Sequence, residues 1–233
     1  MSVDQTTGAA SGNGARPAGG WTNAIARRDD FINEWLVGLP ADAVVVNVGC
    51  GVVRRFESAC PGRFLATDLR VLPTVDFASD ASALPLADRS VDVVLSLELV
   101  EHVPEPAKVL TEFARVLKPG GAVIISVPST VPRHDDHDYW RFTAQGLEKL
   151  GSAEFEHGQV HVFGGTFEAL GYLAEYYAAL TFHLVHLNGR RVRQVFPTVG
   201  YWLDRRSRWS SSRTALHTLA FDLLFVGTTP VTD

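Results

Sequence analysis

At 233 residues and 46% hydrophobic, the chain is long and apolar enough for one α/β domain with additions. A formal charge of −5 offers no basic surface for nucleic acid, and no run of about 18 apolar residues provides a membrane span. Two cysteines, Cys50 and Cys60, cannot build a disulfide framework, and no basic-then-apolar leader opens the chain, so a cytoplasmic location is expected.

Residues 1–20 are rich in Gly, Ala, Ser and Thr without an apolar period, and read as a disordered tail. Trp21 to Leu39 reads as a helix with Ile25, Phe31, Ile32, Trp35 and Leu36 on one face and Thr22 or Asn23 as cap. Trp21, Arg27 and Arg28 would lie near a ligand cleft if that helix closes over one, or would belong to a solvated face. Val44 to Val48 is β-branched and too short for a helix, so it reads as a buried strand. It breaks at Gly49-Cys50-Gly51, where glycines permit a sharp turn and a close backbone approach to a ligand. A helix is predicted from Val52 to Ala59, then a strand from Arg63 to Thr67 ending on Asp68. Strand, glycine turn, helix, strand and acid describe the nucleoside-binding half of a doubly wound sheet. Asp68 stands about 20 positions after the first glycine, where an acid accepts from ribose hydroxyls. Arg54 occupies the third glycine position of the dinucleotide pattern, which argues against NAD or FAD.

A weak strand is expected near Thr74 to Phe77, a strong one from Ser90 to Leu97, and an amphipathic helix from Glu105 to Leu117 with Pro106 in its first turn. Pro119-Gly120-Gly121 should stop that helix, and Ala122 to Val127 is the next buried strand. His134 to Thr143 is a dense polar and aromatic insert before a helix from Ala144 to Leu150. His134, His137 and the neighbouring aspartates are of metal-ligating type, but their spacing fits no ligand pattern and no metal site is assigned. Thr166 to Leu187 is a long apolar helix suited to core or pocket packing, a dimer face or a lipid surface. Between Gly189 and Arg213 seven arginines meet one aspartate, either a solvated loop or a surface for a phosphate-bearing ligand. Leu216 to Thr228 reads as a strand interrupted by Asp222.

The pieces VNVGCG (46–51), ATDL (66–69), DASALPLADRSVDVVLSLELVEHV (80–103) and EFARVLKPGGAVIISVP (112–128) resemble, in order and spacing, the class I S-adenosylmethionine-dependent methyltransferases of the type 11 group. The resemblance implies a mostly parallel seven-stranded sheet with an antiparallel last strand, in a single domain over residues 21–233 with substrate-side insertions in 129–213. It implies that Asn47, Gly49, Cys50 and Gly51 border the methionine part of the cofactor. Asp68 and Leu69 would take the ribose and adenine, Asp80 and Ala81 the adenine edge, and Ser96 and Leu97 the sulfonium. The expected reaction is methyl transfer to a small-molecule acceptor, such as a natural-product intermediate or one bearing a nucleotide or phosphate. His102, His134 and His137 are candidate bases, and Tyr139, Trp140 and Arg141 would face the acceptor, with core anchoring as the alternative for the two aromatics. The chain departs from the family at Asn47, usually an acid, and at Val53, usually glycine. Those departures keep open non-methyl chemistry such as cyclisation or dehydration, and a non-catalytic partner subunit. No feature sets the oligomeric state.

Overall fold

The computed structural model describes residues 23–184, 199, 202–203 and 220–231. The expected tail over 1–20, the Trp21 and Thr22 positions, the end of the apolar helix at 185–187 and the arginine-rich stretch from Arg190 to Arg213 lie outside the described residues, Val199, Trp202 and Leu203 apart.

Seven strands form one sheet in the order β3-β2-β1-β4-β5-β7-β6. Strands β1 (Val44–Val48), β2 (Arg63–Asp68), β3 (Phe77–Ala78), β4 (Val91–Leu97) and β5 (Leu117–Pro128) run parallel. Strand β7 (Asp222–Thr228) inserts antiparallel between β5 and β6 (Glu156–Phe163). Both faces are covered, and the two-residue period of the strands divides the core accordingly. Val45, Leu95, Ile124 and Leu224 pack with Ile32 and Leu36 of α1 (Asn23–Val37). Val46, Val94, Val123, Ile125 and Phe225 pack on the other face with Val109, Leu110 and Phe113 of α2 (Pro106–Val116) and Leu147 of α3 (Ala144–Gly151). Helix α4 (Thr166–Leu184) lays Tyr172 against Ala24 and Phe221.

Several boundaries differ from the sequence expectation. No α-helix follows the glycine turn. Residues 52–56 are turns and irregular chain, and only a 3-10 turn forms at Glu57–Ala59. Val52 and Val53 are β-branched, which disfavours helix, and both are exposed with no face to bury. Phe56 adopts a left-handed backbone (φ 69°) that ends any helical run while its ring enters the α1–β2 cluster. Arg54 holds the segment in place through Glu57, Asp76 and the carbonyls of Thr74 and Phe64.

Strand β6 has no counterpart in the sequence reading: its burial does not alternate cleanly, and Gly158 sits where a Cβ would meet the Phe225 ring at 2.6 Å. It belongs to the sheet although it falls within the 129–213 stretch. Helix α2 passes directly into β5, whose first residue Leu117 pairs with Val91 before a bulge. Asp222 opens β7 rather than interrupting it.

Candidate cofactor and acceptor site

Strand order reverses between β1 and β4, and ligands of open α/β sheets bind at such a switch point, beyond the carboxyl ends of the strands. The turn after β1 lies there. Gly49 and Gly51 have φ of 77° and 61°, a region L side chains rarely adopt. The amides of Gly49 and Cys50 both donate to the Thr67 carbonyl (2.8 and 3.0 Å), fastening the turn to β2. A Cβ on Gly49 would meet the Leu99 side chain at 2.9 Å, whereas one on Gly51 would meet nothing within 4 Å, so Gly51 fronts open space. Burial raises the Cys50 thiol pKa and keeps it protonated.

Asp68 ends β2 almost fully buried. Its Oδ2 accepts from the Gly51 amide (3.0 Å) and its Oδ1 from the Arg70 backbone amide and Nε (3.0 Å each). Burial alone would raise its pKa, but the Arg70 bonds and the Gly51 amide outweigh that and hold it below the usual carboxylate value. Leu69 beside it is exposed and Asn47 on β1 is buried. Beyond β3, Asp80 accepts from the amide and hydroxyl of Ser82 (2.8 Å each), which holds its pKa down and fixes the turn carrying buried Ala81. Ser96 and Leu97 end β4, and the Ser96 Oγ is buried without a hydrogen-bond partner.

The side expected to face an acceptor is built around the chain after β4. Glu98 has a left-handed backbone (φ 52°), and its Oε1 accepts from Arg28 (2.7 Å) and from Ser126 Oγ (3.0 Å). Arg28, 1% exposed, also bonds Asp222 Oδ2 at 2.6 Å. Burial of Arg28 rules out the solvated face that the sequence offered beside a cleft position, and the network has no counterpart in the sequence expectation. The available signal was a charge on each of two apolar stripes: Arg28 continues the Ala24-Ile32-Leu36 face of α1, and Asp222 sits inside an apolar run. Glu101, in a 3-10 turn at Val100–His102, is fully buried, and neither carboxylate oxygen has a hydrogen-bond partner. Burial and then Glu98 push its pKa up to about 9.

The 134–141 segment is fastened over that turn. The amides of Tyr139 and Trp140 donate to the Glu101 carbonyl (2.9 and 3.2 Å), and the Trp140 indole N–H donates to Val103 (2.9 Å). His102 and His134 come together with ring centroids 5.1 Å apart, and His102 Nε2 lies 3.6 Å from Glu101 Oε1. His137 turns instead toward Tyr139, stacking at 6.2 Å. Tyr139 and Trp140 are 51% and 42% exposed, so neither anchors the core. Arg141 has all five N–H donors engaged, by Asp138, Val131, Pro132 and Trp140. The Arg141 bonds lead the effects that hold Asp138 at a pKa of about 2.

Residues 46–125 match the family model described as a methyltransferase domain. Over those residues the chain is similar to methyltransferase domains. An uncharacterized methyltransferase of Mycobacterium bovis is 50% identical over 54 residues, 23% of this chain and 21% of that protein. A probable S-adenosylmethionine-dependent methyltransferase of Mycolicibacterium smegmatis is 31% identical over 150 residues, 56% of this chain and 58% of that one. The matches therefore span between about a fifth and three-fifths of these relatives. Among solved structures, the [4+2]-cyclase SpnF superposes with a TM-score of 0.59 at 18% identity, covering 94% of this chain and 85% of that one. A phosphoethanolamine N-methyltransferase of Haemonchus contortus in complex with S-adenosyl-L-methionine gives 0.56 at 14% identity, over 88% and 52%. These likenesses establish the methyltransferase-domain fold. The glycine turn and Asp68 lie inside the matched residues, whereas His134 to Arg141 lie beyond them.

Proposed function

We propose that the chain binds S-adenosylmethionine at the carboxyl ends of β1, β2 and β4 and transfers its methyl group to a small-molecule acceptor beside the 134–141 segment. The observation that carries this reading is the Asp68 carboxylate held against the Gly51 amide, in front of the open space a Gly51 Cβ would enter. The residues fit a nucleoside with an amino-acid tail. Asp68 offers acceptors to vicinal hydroxyls, and Arg70, exposed on its outer side, can swing away. Asp80 and the Ala81 amide would read the adenine edge, Leu69 would cover its ring, and Asn47 with Gly49, Cys50 and Gly51 would border the tail. Ser96 and Leu97 would face the sulfur. The cofactor supplies an electrophilic methyl on a sulfonium. The chain must align an acceptor lone pair in line with it, exclude water, and take a proton where the acceptor carries one. His102 and His134 are the ring nitrogens placed for that proton. Tyr139 and Trp140 offer apolar faces to an acceptor. Arg141 stays on Asp138, so within the described residues an anionic acceptor is not what this segment favours.

Asn47 favours a second reading. Lacking the acid that would pair with the cofactor's amino group, the site would hold the cofactor weakly while acting on the acceptor by non-methyl chemistry, such as the cyclisation for which the [4+2]-cyclase SpnF is named.

Melting curves with S-adenosylhomocysteine test the binding. At a hundred times Kd a ligand specific to the folded state adds about 2.7 kcal/mol, or about 5–10 °C for a chain of this size. Asp68→Ala should remove most of that rise, and no rise for the parent at millimolar ligand overturns the reading. Conversion of an acceptor without release of S-adenosylhomocysteine would decide for the second.

A further inference from the structure

We propose that Glu101, His102 and His134 form a binding site for a divalent first-row cation of the zinc class, on the acceptor side of the cleft. One ligand atom from each of the three lies within 4.8 Å of the other two. Two imidazoles and one carboxylate are the donor set that zinc and its neighbours take. Bonds of 2.0–2.1 Å place tetrahedral ligand atoms about 3.3 Å apart. The His102 Nε2 to Glu101 Oε1 distance, 3.6 Å, is already near this, and the His134 ligand atom, within 4.8 Å of both, has to close the remainder.

The second observation is Glu101 itself. It is 0% exposed, yet neither oxygen has a hydrogen-bond partner, a costly state for a buried polar group. The other shell is also in place. His102 Nδ1 lies 2.6 Å from the His137 carbonyl, which fixes its proton there and leaves the Nε2 lone pair turned to Glu101. His134 Nδ1 lies 3.4 Å from Asp138 Oδ2. A carbonyl or carboxylate behind a ligating histidine is the usual outer partner of such sites. Arg141 also approaches His134 Nδ1 (3.4 Å), but its charge is matched by Asp138.

An ion here would join the turn after β4 to the 134–141 segment and keep open positions for water or an acceptor oxygen, which it would acidify. It would take lone pairs otherwise available as bases, so the two roles are alternatives. The site does not depend on methyl transfer.

Cobalt(II) titration of the purified chain, read by its visible absorption, tests the site. One cobalt per chain is expected, displaced by zinc. Glu101→Gln and His134→Ala should each weaken binding at least tenfold, whereas His137→Ala, whose ring faces Tyr139, should leave it within twofold. His134 is partly exposed, so its variant stays informative even if Glu101→Gln unfolds. The melting-temperature rise with S-adenosylhomocysteine should persist in His134→Ala, which separates failure of this site from failure of the cofactor site. No cobalt binding at millimolar concentration, unchanged affinity in His134→Ala, or equal losses in His134→Ala and His137→Ala would overturn the proposal.

Discussion

Arg28 shows what one side chain does in this fold. Burial alone would lower its pKa, but Asp222, Glu98 and Asp29 reverse that and keep it charged. It stands where α1 crosses the ends of β4, β5 and β7, with Ser126 Oγ as a further partner at 3.3 Å. A buried ion pair is often no better than a well-packed apolar pair, yet removing one member leaves a naked charge. Arg28→Ala should therefore cost about 3–5 kcal/mol, read from the urea midpoint at unchanged slope. Arg28→Met with Asp222→Asn should recover most of the loss, because no buried charge is then left unpaired. A loss under about 1 kcal/mol in Arg28→Ala would mean that water reaches Asp222. The chemistry of this network was legible only in part. A cation and an anion on two separate apolar stripes predict a pair, but nothing local to either stripe says that they meet.

Elements were legible where packing and propensity agree, and illegible where they diverge. Helix α2 has an apolar stripe at helical spacing and Pro106 at its start, and it forms close to the expected bounds. The segment after the glycine turn has the position of a helix in the recurring pattern but not the residues for one. Val52 and Val53 add no buried face, and Arg54 replaces helical hydrogen bonds by bonds across to Asp76 and Glu57. Asp76 is the outer post of this arrangement, accepting from the Ala66 amide (2.8 Å) and from Arg54 (2.9 Å). Burial alone would raise its pKa, but these two partners lower it below 3.8. A carboxylate depressed in the folded state adds stability above its unfolded pKa and loses it as pH falls through the folded value. Asp76→Asn should thus destabilise modestly at pH 7, by about 0.5–1 kcal/mol, since the side chain is two-fifths exposed and screened. The gap between variant and parent should close below about pH 4. A gap independent of pH between 7 and 3 would show that the Ala66 bond alone matters.

At the scale of the whole molecule, β1 and β4 and the core of β5 were legible because buried parallel strands read as continuous β-branched runs, whereas β3 forms only at Phe77–Ala78, at the far end of the weak strand expected from Thr74 to Phe77. The antiparallel edge was less so: β6 carries Gly158 and polar residues, and takes its identity from pairing with β7. What joins the two ends of the chain was not legible at all. Glu168, in the first turn of α4, is 1% exposed; its Oε1 accepts from the Ala24 amide (2.9 Å) and its Oε2 from Arg27 (3.0 Å). It caps the start of α1 from 144 residues away. One turn later Arg28 ties the same helix to Glu98 and Asp222. Besides the Asp29–Arg55 ion pair, helix α1 is therefore tied down at these two points, and both lie toward the strand ends where the proposed cofactor and acceptor sites open. Glu168→Ala removes the first point and takes the acceptor from a buried amide, which should cost about 1–3 kcal/mol. Glu168→Gln keeps an acceptor for Ala24 and loses the ion pair with half-exposed Arg27, so it should cost under about 1 kcal/mol. Because the second tether survives, the loss in Glu168→Ala should be local. Hydrogen exchange should accelerate over residues 23–28 and in the first turn of α4, and stay slow in β1, β4 and β5. Combined with Arg28→Ala, which frees the second tether, the costs should depart from additivity by about 0.5 kcal/mol or more. Exchange that rises evenly across the sheet in Glu168→Ala alone would mean that α1 and the sheet open as one unit, and that the two tethers do not act separately.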